Sequence, residues 1–243
     1  MRLAVLGLFT APWSIWRPAT CLPSNCFCEA VGDGLIRQPA NTWSSFAFVL
    51  VGVWVLSRLR GTRGPGVRPW TQADTTLFVG SLLAIGFGSA FYHASLSFVG
   101  QVVDVSGMYF MATFILLHRL GPRWKLRPPT TVALFVTINA GLMLAQVALP
   151  SLRRVAFAVL LISALVVEWK ASRSGRIWLI RSAATMAVAF AIWTVDLLRW
   201  TCAPDSLLQG HAVWHLLGAA AAALLYRSYE GARADSTTLR AVS

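Results

Sequence analysis

Three imidazoles, one carboxylate and one hydroxyl carry the chemistry this chain can offer. His211 and His215 stand four residues apart in H-A-V-W-H, and Ser89 and His93 share that spacing in G-S-A-F-Y-H-A-S-L. Residues at i and i+4 lie on one face of a helix. Asp104 follows His93 after a short polar break. Three neutral imidazoles with one position left open are the donor set of catalytic zinc, which brings a water to a pKa of about 7 and polarises a carbonyl. Asp104 would take that water's proton or orient the water, and Ser89 would hydrogen-bond the water or the carbonyl oxygen that becomes an oxyanion. The chemistry expected is metal-assisted hydrolysis with water as the nucleophile.

These groups must be held by membrane helices. Hydrophobic residues make up 56% of the 243, and charged residues only 12%, against roughly 25% charged in a soluble domain. That composition excludes a disordered chain, a coiled coil and an ordinary soluble enzyme. The apolar residues fall in blocks near the roughly 20-residue length that crosses a bilayer. Seven spans are expected, at 42–59, 74–94, 100–118, 130–149, 153–169, 177–198 and 209–228. The fold class is therefore an all-α membrane protein, a bundle of seven transmembrane helices. An N-terminal segment (1–41) precedes the seven-span domain (42–228), and a short tail (229–243) follows it. Residues 1–16 read as a signal core or as an interfacial stretch anchored by Trp13 and Trp16.

The basic residues set the orientation. Of the 21 Lys and Arg, six (Arg2, Arg17, Arg37, Arg153, Arg154 and Arg199) fall on the side of the N-terminus, and the rest on the other. The positive-inside rule places the N-terminus outside and the C-terminus in the cytoplasm. The net charge of +12 thus reads as topology and lipid contact rather than as a nucleic-acid footprint. Cys21, Cys26, Cys28 and Cys202 all fall on the outer side, where disulfides persist. Four cysteines allow three pairings. A four-cysteine zinc site would want two C-x-x-C knuckles, and the spacing lacks them.

Applied to the histidines, this topology brings His93, Asp104, His211 and His215 to one depth near the outer face. His118, Asp74 and Glu168 sit at the opposite ends of their spans and cannot join them. Ionisable groups inside spans are costly and are functional candidates by default. Asp196, also near the outer end, is expected to pair with Arg199 or to hydrogen-bond a neighbouring span.

In order along the chain, G-S-A-F-Y-H-A-S-L, Asp104 and H-A-V-W-H resemble the alkaline ceramidases. That family belongs to a superfamily of seven-span hydrolases that includes the adiponectin and progestin receptors and the Per1 proteins. C-E at 28–29, N-T-W-S-S at 41–45 and W-T-V-D at 193–196 extend the resemblance from about Cys28 to about His215. It implies zinc held by His93, His211 and His215, with Asp104 and Ser89 around the activated water. It also implies hydrolysis of a ceramide-like amide to fatty acid and sphingoid base, and a Cys28–Cys202 disulfide. Cys21 and Cys26 are then left to pair or stay free. Calcium is a weaker implication. Only Glu29 sits in a matching place, Cys26 and Gln38 stand where carboxylates are expected, and Val105 stands where an acid often follows the span-3 Asp.

The partners implied are a membrane lipid and water, with no nucleic acid and no obligatory protein. The location is the plasma membrane in a bacterium, or the endoplasmic reticulum or Golgi in a eukaryote. The rival readings are an esterase or lipid-remodelling hydrolase with the same site, a seven-span lipid receptor, and a transporter using Asp104 and His93 as a proton relay.

Overall fold

The computed structural model describes residues 13–23, 26–61, 71–171 and 175–241. Most of the 1–16 stretch, and Arg63, Arg68 and Arg173 of the loops, lie outside the described residues. Eight helices follow in order: α1 Pro39–Ser44, α2 Phe46–Gly61, α3 Gln72–Ser95, α4 Phe98–Arg123, α5 Pro128–Ala148, α6 Arg153–Ala171, α7 Arg176–Leu197 and α8 Gly210–Ala241. Among the described residues, six helices, with α1 and α2 taken as one, are long and apolar enough to cross a bilayer. The chain is an all-helical, multi-pass membrane protein. The last helix, α8, is not among these six and carries His211 and His215 in its first turns. It also runs on to Ala241, past the end expected at 228.

The first expected span is two helices. Ser44 and Ser45 both donate their hydroxyls back to the Asn41 carbonyl, at 3.1 and 2.8 Å. Such back-bonding bends helices, and the chain breaks between α1 and α2 at this point. The α3–α4 turn is short because Leu96 takes a left-handed φ of 46° and Ser97 caps α4 through the Gly100 N–H, at 3.0 Å. This turn returns Asp104 to the depth of His93. The N-terminal segment lies across it. The Ala19 N–H donates to the Leu96 carbonyl at 2.9 Å, and the Phe98 N–H to the Arg17 carbonyl at 2.8 Å.

Tight packing holds the two helices together below that turn. A Cβ on Gly107 would stand 2.7 Å from the Ile85 backbone nitrogen, so α3 and α4 touch main chain to main chain. Small residues at membrane helix interfaces permit this approach. The core around Phe78, Leu82, Phe114 and Tyr226 fills the lower half of α2, α3, α4 and α8. Large apolar side chains on α5, α6 and α7, such as Leu144, Val159, Ile162 and Val188, remain exposed, as lipid-facing residues do.

At the far end a separate polar group closes the bundle. Arg119 meets the fully buried Glu168 with its guanidinium fork, and the Tyr229 hydroxyl donates to the same carboxylate at 3.3 Å. Asp74 caps α3 through Thr71 and lies 3.0 Å from His118 Nδ1. These groups stay away from the three other histidines.

Candidate functional site

His93 comes from the last turns of α3, and His211 and His215 from the first turns of α8. Their exposures are 0%, 4% and 2%. One ring nitrogen from each lies within 4.8 Å of the others, so the trio could hold a metal ion. His93 Nε2 and His211 Nε2 are 3.1 Å apart. Two bare nitrogen lone pairs at that distance repel unless a cation sits between them or one ring moves its proton. Ligand nitrogens of a tetrahedral zinc, bonded at about 2.0–2.1 Å, would stand about 3.3 Å apart.

The tautomers follow from the partners behind each ring. The Gln38 side-chain amide donates to the Glu29 carbonyl at 3.2 Å, which turns its oxygen to His93 Nδ1 at 2.9 Å. An amide oxygen only accepts, so His93 carries its proton on Nδ1 and leaves Nε2 bare. His215 Nδ1 lies 2.8 Å from Ser44 Oγ and 3.4 Å from Ser45 Oγ. Both hydroxyl protons are already spent on the Asn41 carbonyl. Each serine can only accept from His215, whose Nε2 is therefore also bare. His211 stacks on Phe27 with ring centroids 3.6 Å apart, and its buried Nδ1 has no hydrogen-bond partner. A metal-binding imidazole needs its outer nitrogen protonated and held, and two of the three rings are set that way. The donor set fits a metal such as zinc.

All three rings thus lean on residues 27–45. That segment is fixed in turn by disulfides Cys21–Cys26 and Cys28–Cys202. Asp196 accepts the Cys28 and His211 backbone N–H groups, each at 3.2 Å. It does so because α8 starts with glycine. A Cβ on Gly210 would stand 2.9 Å from the Asp196 Cβ. Of the two partners expected for Asp196, the neighbouring span is the one found, through the His211 N–H of α8, and no Asp196–Arg199 ion pair is among the salt bridges of the described residues. The carboxylate is drawn instead to two backbone donors, while the Arg199 guanidinium lies 3.5 Å from Cys202 Sγ.

The gathering of carboxylates that calcium favours is not found in this stretch. Glu29 accepts the Ala40 and Asn41 N–H groups at its two carboxylate oxygens, at 2.6 and 2.9 Å. Gln38 is committed on both sides, and Cys26 is oxidised. Burial pushes the Glu29 carboxyl above its ordinary range, with Asp196 adding to the rise and the two N–H donors opposing it. Trp13, one of the two expected interface anchors, donates to the Leu35 carbonyl at 2.8 Å and packs edge-on against Phe91.

Ser89 Oγ lies 3.2 Å from His215 Nε2, with Asp104 close by. Both line a cavity of about 160 Å³ with His211 and His215 at its polar end. Away from the histidines its walls are apolar, with Met108, Ile115, Leu161, Met186 and Leu225 among them. The sequence did not single out Gln38, Ser44, Ser45 or Phe27 as supports for the rings. Their only signal was the polar run N-T-W-S-S beside a glutamine, in a stretch otherwise bound for an interface.

Fold and site together define a helical membrane protein whose buried three-histidine cluster opens on an apolar cavity. By sequence the chain belongs to the Ceramidase family, whose profile matches residues 27–239. It is similar to an alkaline ceramidase of Drosophila melanogaster, 29% identical over 116 residues. The matched stretch is 47% of this chain and 39% of that protein, so it spans about two fifths of the relative's length.

Proposed function

We propose that this protein is a zinc-dependent intramembrane hydrolase that cleaves the amide bond of a ceramide-like lipid to a fatty acid and a sphingoid base. The observation that carries the reading is the trio of buried imidazole nitrogens, two with their tautomers set for a metal, at the polar end of an apolar cavity. Membership of the Ceramidase family and likeness to an alkaline ceramidase support the substrate class. His93, His211 and His215 would hold the ion. Zinc supplies an acidified water and a polarised carbonyl.

The chain's own groups do the rest. Asp104 accepts the proton of the attacking water and passes it to the leaving amine. Ser89 donates to the amide oxygen as charge develops there. The apolar walls take the acyl chain and keep other water out. The bundle is read as seven spans with α8 the last, the N-terminus outside and the C-terminus cytoplasmic, so that the site lies at headgroup depth in the outer half.

The test is fatty-acid release from an N-acyl sphingoid base in mixed micelles, with zinc content measured on the same samples. Wild type should carry about one zinc per chain and release fatty acid. His93→Ala and His215→Ala should lose both while keeping the wild-type helical signal, and His118→Ala should lose neither. Full activity in His215→Ala, or in chelated wild type, would remove the mechanism.

A further inference from the structure

Two cationic side chains line the cavity and have no part in the reaction above. Arg153 and Arg154 open α6 and face the same space as Ser89, Asp104, His211 and His215. Arg153 is half-buried and Arg154 exposed. The Tyr109 hydroxyl donates to the Arg153 carbonyl at 2.9 Å, which ties this end of α6 to α4. The Arg153 guanidinium donates to the Pro150 carbonyl, and the Arg154 guanidinium lies over the Trp193 ring at 5.5 Å. Among the described residues neither arginine forms a salt bridge. Arg153 is near enough to Asp104, and Arg154 to His211, to act on each electrostatically.

The cavity's polar end therefore holds two guanidinium groups against one carboxylate, and a bound divalent ion would add to the excess. A neutral lipid headgroup offers only hydroxyls and brings neither cation a counter-charge. A phosphate headgroup would meet them with paired, charge-assisted hydrogen bonds, the geometry a guanidinium fork suits. The carboxylate product is not the matching anion. It forms beside the histidines, which are at most 4% exposed, whereas Arg154 stands at the open mouth.

Resting on the hydrolase reading above, we propose that Arg153 and Arg154 form a subsite for an anionic headgroup, and that the favoured substrate is an N-acyl lipid carrying a phosphate monoester. The reaction is unchanged. Water's oxygen joins the acyl carbon as the C–N bond breaks, the amine leaves with the proton, and the phosphate ester stays intact.

The experiment uses zinc-loaded, full-length protein in zwitterionic mixed micelles. Ceramide and its 1-phosphate, with the same acyl chain, are compared by kcat/KM. The phosphate form should be preferred by about tenfold or more, the scale of one or two hydrogen bonds between charged groups. Arg154→Gln should lower that ratio several-fold and Arg153→Gln/Arg154→Gln should bring it near one. Arg37→Gln, an outer-face arginine outside the cavity, should leave the ratio at its wild-type value. Raising the salt concentration should erode the preference in wild type and not in the double variant. Equal or better turnover of neutral ceramide by wild type, or an unaltered ratio in the double variant, overturns the subsite and leaves the hydrolase intact. No release from either lipid by folded, zinc-loaded protein overturns both.

Discussion

Replacing Gln38 with methionine keeps the volume of a buried side chain but removes the oxygen that accepts the His93 Nδ1 proton at 2.9 Å. The buried Nδ1–H then has no partner, at a cost of about 1–3 kcal/mol. The ring can also move its proton to Nε2, which removes the ligand lone pair. Loss of such a support costs about 10–100-fold in metal affinity, or about 1.4–2.8 kcal/mol. Zinc affinity, measured by chelator competition in detergent, should fall by that factor in Gln38→Met. The unfolding midpoint of the metal-free protein should fall too, because the bond from Gln38 to the Glu29 carbonyl at 3.2 Å is lost. Gln38→Glu separates the two effects. It keeps an acceptor for Nδ1 and sets an oxygen against the Glu29 carbonyl. Its metal-free midpoint should fall while its zinc affinity stays near wild type. Wild-type affinity in Gln38→Met, or equal weakness in both variants, would refute the tautomer argument.

Asp104→Asn should lower kcat by about 10²–10⁴-fold with zinc content unchanged; loss of zinc instead would make the carboxylate a ligand. Cys28→Ser opens the disulfide to Cys202, which closes a loop with a sequence separation of 174. It should cost about 2–5 kcal/mol of stability and weaken zinc retention, and a variant that keeps both would show that the N-terminal segment holds the rings without this bond. Glu29, raised by burial with Asp196 beside it, holds its proton more tightly folded than unfolded. Its contribution is full below its unfolded pKa of about 4.3 and falls as pH rises through the folded value. The stability difference between wild type and Glu29→Gln should therefore shift against wild type as pH rises from about 4 to 7, and a difference that is flat or moves toward wild type would refute the assignment of burial as the dominant cause.

The spans were legible because lipid demands apolar runs of one length, and the runs at 74–94, 100–118, 130–149 and 177–198 fall on α3, α4, α5 and α7 within a few residues at each end. Depth was legible too. Once the spans alternate, His93, His211 and His215 must share an end, and the structure draws them within 4.8 Å. Other features carry no periodic signal. The break at Ser45 depends on two hydroxyls choosing the Asn41 carbonyl. For Asp196 the sequence left two partners open, Arg199 three residues on or a neighbouring span, and the neighbouring span is the one found. Its actual partners, the Cys28 and His211 N–H groups, are 168 and 15 residues away. Calcium was implied by the resemblance alone, and the stretch it pointed to carries a glutamate whose oxygens accept two backbone N–H groups of α1.

Every ring of the cluster rests on the N-terminal segment. Phe27 stacks on His211, Gln38 accepts from His93, and Ser44 and Ser45 accept from His215. In this segment Cys26 is held in a disulfide, Gln38 is an amide bonded on both sides, and Glu29 accepts backbone donors of α1. Covalent and hydrogen-bonded ties hold the segment over the rings. A glutamine behind His93 also holds the proton on Nδ1 without adding negative charge near the cluster. That leaves Asp104 as the anionic group among the cavity's lining residues, with Ser89 and the charge of Arg153 both acting on it. In such a setting the carboxylate can serve as proton acceptor while the arginines, outside the salt bridges of the described residues, can meet a charged substrate.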